Sequence, residues 1–511
     1  MEPHEDEPCP IAVLLSEDDG ADICAAVQAH VAAVMALRMR VSAWRMSRRG
    51  RYRGSLPGRR SNKQRDFDAG LNNIVRDYFG VDGQDPVYNE HDFETRFRVP
   101  RAVFRRVYSE VKDTPFFRRR INATGRPQAH PLQKVVAAFR VLAYGEAADR
   151  ADEYVRLSRS TILLSVKCLV VCIVSKWEST YLRRPNDAEL KTILDRNAER
   201  GFPGCMGSLD CSHWAWHQCP RGMAGSYQTR KGSRGIVVEA VCDEDLWICH
   251  LFVGAPESLN DINVMHQSPL YLDVTAGRWP PRNQSYTMNG TSRTLPYYLV
   301  DGIYPRYAFL MSPHPMPSTE EQKVFNRLQE AVRKDVERLF GVLTQRFHIA
   351  LHPGRYRSVK MLVLTFKAIC ILHNMCVESR REGFLSRRRR AEGPNGGGGA
   401  DAVDGDDEGS GSEDSNGPDG GPAGGGGSGH GGGADVGAGA AAGGAAPGGA
   451  HAGANAPLHI NPVEQPPAGG MAAVFDAWGE TRNVAEHEQL RADITAHVWN
   501  DRGDLLAPYL S

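Results

Sequence analysis

The chain has 511 residues, enough for two or three domains, and its hydrophobic content of 41% is ordinary for a protein that buries a sizeable core. Its 61 basic and 61 acidic side chains cancel, which excludes a globally basic nucleic-acid-binding chain but leaves local basic patches possible. The 11 cysteines lack regular spacing, which argues against a disulfide framework and favours reduced thiols inside a cell. No basic-then-apolar signal segment follows Met1, and we expect no association with a membrane.

Residues 1–66 are predicted to be a basic, disordered N-terminal extension. The stretch from Arg38 to Arg65 is strongly basic. Such a stretch is typical of a solvated arm, of a nuclear import signal or of an arm that binds phosphates. The pattern alone leaves these three interpretations open.

Residues 67–200 are predicted to be all-helical. Apolar residues recur at helical spacing from Pro131 to Tyr144, and Gly145 is expected to end that helix. The apolar run from Ile162 to Val174 is too short to span a bilayer and predicts a buried core helix.

The helix that contains this run begins with a polar and basic turn. Ser158 or Ser160 is expected to cap it, and Arg159 lies in its first turn. A polar tip followed by a buried remainder is what a helix-turn-helix motif needs in its second helix. The sequence therefore predicts a DNA-binding region in which Arg159 contacts DNA, although a plain helical bundle gives the same pattern.

Residues 201–377 change to alternating strands and helices. In chain order the sequence predicts strands at 204–216, 235–245 and 246–256, a short helix at 260–270, strands at 296–305 and 307–314, and a long helix at 318–347. The tight spacing of the first three strands predicts an antiparallel meander. Asn260 or Asp261 is expected to cap the short helix, and Ser318 with Glu321 forms a capping-box pattern at the start of the long one.

Three carboxylates occupy informative places in this order. Asp210 lies in the first strand, Asp301 at the end of the fourth, and Glu337 on the long helix, off its apolar stripe. The order matches an RNase H-like α/β fold, in which the first and fourth strands lie side by side at the centre of a mixed sheet. Converging carboxylates of this kind clamp two divalent ions about 4 Å apart, and Mg²⁺ or Mn²⁺ prefers such hard oxygen ligands.

Several motifs resemble the PIF/Harbinger superfamily of transposases, in the branch called plant transposon protein. They include GSLDCSHWAWHQCP (207–220), YYLVDGIYP (297–305), RKDVERLFGVLTQRF (333–347) and KAICILHNM (367–375). The resemblance runs from about residue 67 to 377, and it resumes at 487–505. It implies an RNase H-like DDE nuclease that excises and reinserts DNA with divalent metal, and the family's motif positions fall on Asp210, Asp301 and Glu337.

The same resemblance brings in two further residues. Asp261, in NDINV, matches another acidic position of the family, and some triad assignments use it as the second member. The strand argument favours Asp301, because Asp261 falls at a helix start, where capping is the simpler explanation. Asp261 is then an accessory metal ligand or DNA-orienting residue. His213 also matches a family position and lies either near the scissile phosphate or at a capped strand end.

The loop at 221–235 is basic and rich in glycine. Four cations in it are predicted to contact DNA phosphates: Arg221, Arg230, Lys231 and Arg234. The alternative is a flexible surface hairpin. Just before the loop, Cys211, His213, His217 and Cys219 would share one face of an extended segment, which makes a zinc site conceivable. One flat strand cannot wrap a tetrahedral ion, so we do not favour zinc.

The C-terminal part contains an expected linker and a last helix. Residues 378–470 combine a basic run, which includes SRRRR (386–390), with an acidic run and a Gly/Ala-rich stretch that cannot bury enough apolar surface to fold. The Gly/Ala-rich stretch departs from the family and resembles an insertion. In residues 471–511, Leu490, Ile494 and Val498 recur at helical spacing, so this helix is expected to dock on the core or on a second subunit.

The expected function is that of a metal-dependent DNA transposase that cuts and joins transposon DNA in the nucleus. Its expected partners are the double-stranded DNA of the transposon ends, a second copy of the chain and, as the family implies, a separate Myb-like DNA-binding protein. The alternative is a catalytically inactive derivative that acts as a nuclear DNA- or protein-binding factor. A nuclease for RNA hybrids is disfavoured by the long helical N-terminal region.

Overall fold

The computed structural model describes residues 63–391, except 82, 122–124, 126, 230–231 and 282–283, and residues 482–506. The chain divides into Met1–Arg65 and Asp66–Ser511, and the fold described below belongs to the second unit. Residues 1–62 of the predicted basic arm and residues 392–470 of the predicted linker lie outside the described residues.

The N-terminal part of this unit is helical. Its helices are α1 (Phe67–Tyr78), α2 (Glu90–Phe97), α3 (Arg101–Val111), α4 (Pro131–Tyr144), α5 (Ala148–Val155), α6 (Arg159–Tyr181) and α7 (Asp187–Glu199). The expected end of α4 is confirmed, because Gly145 adopts the left-handed conformation with φ 60°. The expected cap of α6 is Ser158, whose Oγ accepts a hydrogen bond from the Thr161 amide at 3.3 Å.

A five-stranded mixed sheet follows, with two antiparallel and two parallel contacts. The strands of the chain are β1 (Cys205–Ala215), β2 (Gly235–Cys242), β3 (Ile248–Pro256), β4 (Tyr286–Met288), β5 (Thr291–Arg293), β6 (Tyr297–Leu299) and β7 (Leu310–Met311). The sheet order is β3-β2-β1-β6-β7, and β4 with β5 forms a separate hairpin that the sequence did not predict. The predicted meander is confirmed, since β1 pairs antiparallel with β2 and β2 with β3.

The remaining helices cover the sheet and close the fold. They are α8 (Ala224–Tyr227), α9 (Asp261–Gln267), α10 (Pro269–Thr275), α11 (Glu320–Arg346), α12 (His348–Leu351), α13 (Val359–Ala391) and α14 (Val484–Leu506). One core joins β2 residues such as Val238 to Val336 of α11 and Ile369 of α13. A second core joins Leu209 of β1 to Met265 of α9. The sheet is therefore covered on both faces.

Four expectations differ from the structure. The N-cap of α11 is Thr319 rather than Ser318, because the Thr319 side chain accepts from the Gln322 amide. The helix predicted at 260–270 is broken into α9 and α10 at Ser268. Helix α13 continues to Ala391, so the start of the predicted linker is helical. The N-terminal helices share their core with β2, so the chain has no structural break near residue 200.

Among the described residues, two helices are long and apolar enough to cross a membrane: α6 and the Val359–Glu382 part of α13. The apolar run that predicted α6 extends to a helix of 23 residues. In this structure, both helices pack in the core. Ile162 and Val166 of α6 are fully buried, as are Ile369 and Leu372 of α13. The expectation of a buried core helix is confirmed for one face of α6.

The HN pair of the KAICILHNM motif holds the turn between β2 and β3. The Asn374 amide accepts from the Ile248 amide at 3.0 Å and donates to the carbonyls of Ile248 and Tyr181. The His373 ring bonds to the carbonyl of Leu246, which has a positive φ of 64°. Burial lowers the pKa of His373 to about 4, which keeps this buried ring neutral. These contacts fix the turn to α13, so the motif has a structural role.

The terminal helix α14 docks on the core of its own chain. Leu490, Ile494 and Val498 are buried against Phe325 of α11 and Tyr297 of β6. Polar contacts surround this apolar seam, and one of them joins Arg306 to Glu488 at 3.0 Å. The predicted docking on the core is thus confirmed.

Candidate active site

Asp210 lies in the central strand β1, on the face covered by α11. Ser208, two residues earlier on the same face, donates from its Oγ to the carbonyl of Val332 on α11 at 3.1 Å. Asp210 is half-buried, and its Oδ1 accepts from the Cys211 amide at 2.8 Å. The pKa of Asp210 is raised to about 6, chiefly by burial and also by the charges of Asp261 and Glu337, while the Cys211 amide and Arg333 act to lower it.

Asp301 follows β6, the strand that pairs parallel with β1. Ser208 of β1 lies opposite Leu299, the last residue of β6. Asp210 comes two residues after Ser208, and Asp301 comes two residues after Leu299, beyond the end of the strand. Asp301 is exposed, and its Oδ1 accepts from the Gly302 amide at 2.7 Å. The expectation that the first strand and the strand leading to Asp301 are neighbours is confirmed.

Glu337 lies on α11 and forms an ion pair with Arg333, one turn earlier. The Nη1 of Arg333 is 2.8 Å from Oε1 of Glu337, and the two side chains are 13% and 46% exposed. Because Arg333 also lowers the pKa of Asp210, its guanidinium lies among these carboxylates. Arg333 was not among the predicted site residues, although a cation four residues before a glutamate on a helix predicts such an ion pair.

Asp261 is the first residue of α9 but does not cap it. The N-cap is Asn260, whose side chain accepts from the Asn263 amide at 2.9 Å. The capping explanation for Asp261 is therefore wrong, and with it the reason for ranking it below Asp301. Burial raises the pKa of Asp261, His213 lowers it, and the charge of Asp301 raises it again. Asp261 thus belongs to the same electrostatic cluster as Asp210 and Asp301.

His213 lies between two acids at the edge of this cluster. Its Nδ1 is 3.8 Å from Oε1 of Glu257, and its charge acts on Asp261. It does not cap a strand end, since β1 continues to Ala215. Burial raises the pKa of Glu257, and a Cβ at Gly235 would lie only 2.1 Å from the Glu257 carboxylate. Glycine at 235 therefore makes room for Glu257, a residue that the sequence did not single out.

A buried polar group supports α9 and α10 from β2. Oε1 of Glu239 accepts from the Ser268 hydroxyl and lies 3.0 Å from Nε2 of His250. Ser268 also caps α10 and ends α9, so Glu239 fixes the junction of these helices to the sheet. Oε2 of Glu239 is buried without a hydrogen-bond partner in the described part of the chain. Its charge raises the pKa of Asp261, which places a further acid behind the cluster.

The carboxylates of Asp210, Asp261, Asp301 and Glu337 offer the oxygen ligands that a hard divalent ion prefers. In the described residues, no three His, Cys, Asp or Glu side chains converge as a ready metal site. Burial and mutual repulsion nevertheless make the charged forms of Asp210 and Asp261 unfavourable, and a divalent cation would offset that penalty. The zinc alternative has no support, since Cys211 Sγ instead lies 3.5 Å from the Tyr304 hydroxyl.

The predicted DNA contacts are exposed where the structure describes them. Arg221 and Arg234 flank the loop after β1, while Arg230 and Lys231 lie outside the described residues. Arg159 is exposed at the start of α6, with its Nε 3.9 Å from Asp149. A turn at residues 156–158 joins α5 to α6 before Arg159.

Comparison with known proteins finds two family profiles that match parts of this chain. The profile of the family described as Plant transposon protein matches residues 179–384, and that of a domain of unknown function matches residues 70–112. Over residues 179–384 the chain is similar to the plant transposon protein family. The resemblance to PIF/Harbinger transposases is thereby confirmed, and the family match contains Asp210, Asp261, Asp301 and Glu337.

The chain is also similar to curated proteins from animals and a plant. "Putative nuclease HARBI1" of Homo sapiens is 27% identical over 256 residues, which are 48% of this chain and 68% of the relative. The protein of the same name from Rattus norvegicus is 24% identical over the same shares. "Protein ALP1-like" of Arabidopsis thaliana is 23% identical over 297 residues, 56% of this chain and 70% of the relative. No solved structure matches the chain.

Proposed function

We propose that this chain is a metal-dependent DNA endonuclease of the DDE transposase type, with an RNase H-like core. The observation that carries the proposal is the parallel pairing of β1 with β6, because Asp210 and Asp301 each follow the paired residues Ser208 and Leu299 by two positions. The charges of Glu337 on α11 and Asp261 on α9 both raise the pKa of Asp210. The charge of Asp301 in turn raises the pKa of Asp261. The sheet order, with three parallel strands next to an antiparallel meander, supports the RNase H-like assignment.

The metal in this proposal is Mg²⁺ or Mn²⁺, as two ions held by Asp210, Asp261, Asp301 and Glu337. When bound, the ions supply a polarised water or 3′-hydroxyl and stabilise the leaving oxygen of a phosphodiester. The chain itself orients the carboxylates through backbone contacts, such as the Cys211 amide on Asp210 and the Gly302 amide on Asp301. Glu239 supports the helix that carries Asp261.

The substrate in this proposal is double-stranded DNA at transposon ends. Arg159, Arg221 and Arg234 are exposed cations that would contact its phosphates, and α5 with α6 would form the helix-turn-helix motif. Action in the nucleus, self-association and a separate Myb-like DNA-binding partner belong to the same proposal through the family.

A cleavage assay tests the proposal. Purified full-length chain is incubated with a labelled duplex that carries the inverted repeats flanking its coding sequence. We expect nicking or cleavage with Mg²⁺ or Mn²⁺ and none with EDTA. A matched RNA–DNA hybrid should be cut poorly. Cleavage that persists in EDTA, or that prefers the hybrid, contradicts the proposal.

The alternative is a catalytically inactive derivative that binds DNA or protein. The ion pair between Arg333 and Glu337 favours this alternative, because it engages the helix glutamate with a cation of the chain itself. The same assay separates the two functions: specific binding to the duplex without any metal-dependent cleavage would establish the alternative.

The ion pair also predicts how the chain binds metal. Replacing Arg333 with Met keeps a long apolar stem but removes the cation, so the carboxylates should bind a divalent ion more tightly. We expect the affinity for Mn²⁺, measured by electron paramagnetic resonance of free Mn²⁺, to rise roughly fivefold. Lys334→Met is the control, because Lys334 pairs with Glu330 at 3.2 Å on the same helix. An unchanged or weaker affinity in the Arg333 variant would mean that Arg333 does not compete with metal.

A further inference from the structure

Two segments of the chain contain no acidic residue and meet at the end of β1. Residues 217–235 run from the end of β1 to the start of β2, and residues 338–377 run from the last turns of α11 through α12 into α13; neither segment contains Asp or Glu. In a chain with equal numbers of acidic and basic side chains, such segments concentrate positive charge.

The segment of residues 352–360 comprises the loop after α12 and the first two residues of α13, and we call it the 352–360 loop. Backbone and indole contacts fix it to the end of β1. The Gly354 amide donates to the carbonyl of Ala215 at 2.7 Å, and the Gly354 carbonyl accepts from the His217 amide at 3.1 Å. The indoles of Trp214 and Trp216 donate to the carbonyls of His352 and Tyr356 at 2.9 and 2.6 Å. These contacts explain the two tryptophans of the family motif: they hold a basic loop in place.

Six cations surround this junction. They project from the loop, from the segment after β1 and from α6, where Lys167 lies 6.0 Å from the centre of the Tyr356 ring. All six are exposed: Lys167, Arg221, Arg234, Arg355, Arg357 and Lys360. In the described ranges, none of these six forms an ion pair with an acidic side chain, whereas exposed arginines elsewhere, such as Arg76 and Arg380, do.

We propose that these six cations form a surface that binds the phosphates of duplex DNA. The inference rests on the proposed function and names the face of the protein that the duplex follows. From Asp210 to Trp216 the chain covers about 20 Å of extended strand, a length that about six base pairs span. A duplex cut at the carboxylates can therefore lie along β1 and reach this surface. Loop 352–360 was not predicted as a DNA contact.

Binding measured against salt tests the surface without requiring cleavage. A fluorescein-labelled duplex of arbitrary sequence is titrated with full-length protein in EDTA, by fluorescence anisotropy, at several salt concentrations. For the double variant Arg355→Gln/Arg357→Gln, we expect roughly tenfold weaker binding at low salt. The slope of log affinity against log salt should become shallower by about two, close to one for each lost phosphate contact.

Two further variants complete the experiment. Arg221→Gln/Arg234→Gln, on the other segment, should make the slope shallower by a similar amount. Arg76→Gln/Arg380→Gln removes two exposed but ion-paired arginines elsewhere and should leave the slope unchanged. The inference is overturned if the Arg355/Arg357 and Arg221/Arg234 variants keep the wild-type slope of log affinity against log salt. It is also overturned if the slope of the Arg76/Arg380 variant becomes as shallow as theirs should be. Normal binding without metal-dependent cleavage would instead overturn the proposed function and leave this surface standing.

Discussion

Asp210→Asn is expected to reduce metal-dependent DNA cleavage by on the order of a thousandfold or more, because a neutral amide cannot replace the central carboxylate. Asp210 lies on the middle strand of the sheet and is the carboxylate whose charge is coupled to both Asp261 and Glu337. The Asn side-chain oxygen can still accept from the Cys211 amide, so the local backbone should be retained. The loss should therefore be chemical rather than structural.

The same substitution should stabilise the fold at neutral pH. Burial raises the pKa of Asp210 from 3.8 to about 6 in the folded chain. The stability that the protonated acid contributes is present below about pH 4 and is lost as pH rises through about 6. At neutral pH, the wild type must keep a charged carboxylate in a half-buried position, which costs stability, whereas the neutral Asn variant has no such cost. For this half-buried group we expect a gain of about 2 kcal/mol in the free energy of unfolding.

Cleavage assays and urea unfolding at several pH values check both parts. The stability advantage of Asp210→Asn should be full at about pH 7 and should shrink towards about pH 4. The matched control is Asp195→Asn, which removes the same charge from an exposed position of α7. It should cleave normally and unfold like the wild type. A variant at 210 that still cleaves DNA, or that is less stable at neutral pH, would remove Asp210 from the centre of the site.

The sequence predicted the strands and the acids because both leave strong local patterns. Alternating apolar runs located β1, β2 and β3, and their spacing determined the meander. Asp210 and Asp301 could be placed together because adjacent strands of a known order bring their residues to one edge. The boundaries were less predictable: β6 ends at Leu299, two residues before Asp301, since only the hydrogen bonds of the folded sheet decide where pairing stops.

The rest depended on contacts between distant segments, which a single sequence does not display. Nothing in the sequence links Asn374 to Ile248, or Trp216 to Tyr356, although each pair is hydrogen-bonded. Choices between adjacent polar residues were also undetermined. Asn260 rather than Asp261 caps α9, because only the Asn260 side chain reaches the Asn263 amide. That one choice removes capping as the explanation for Asp261.

The terminal helix offers the second large effect. Ile494 is fully buried between α14 and the core beneath α11, the helix that carries Arg333 and Glu337. Ile494→Asp places an unpaired carboxylate in this apolar seam, which should cost about 4 kcal/mol or more. Undocking α14 avoids that cost but exposes the apolar residues under α11. We therefore expect a much lower unfolding temperature and the loss of cleavage, although residue 494 lies outside the family match at 179–384.

Ala496→Asp is the matched control for this prediction. It adds the same charge to the same helix, but Ala496 is exposed, so the helix can remain docked. Ala496→Asp should have the unfolding temperature and the protease resistance of the wild type. Ile494→Asp should unfold at a lower temperature and be digested faster in limited proteolysis. If Ile494→Asp melts and cleaves like the wild type, α14 does not hold α11 in place. If it melts early but the folded fraction still cleaves, docking stabilises the chain without positioning Glu337, and the link between the terminal helix and the site fails.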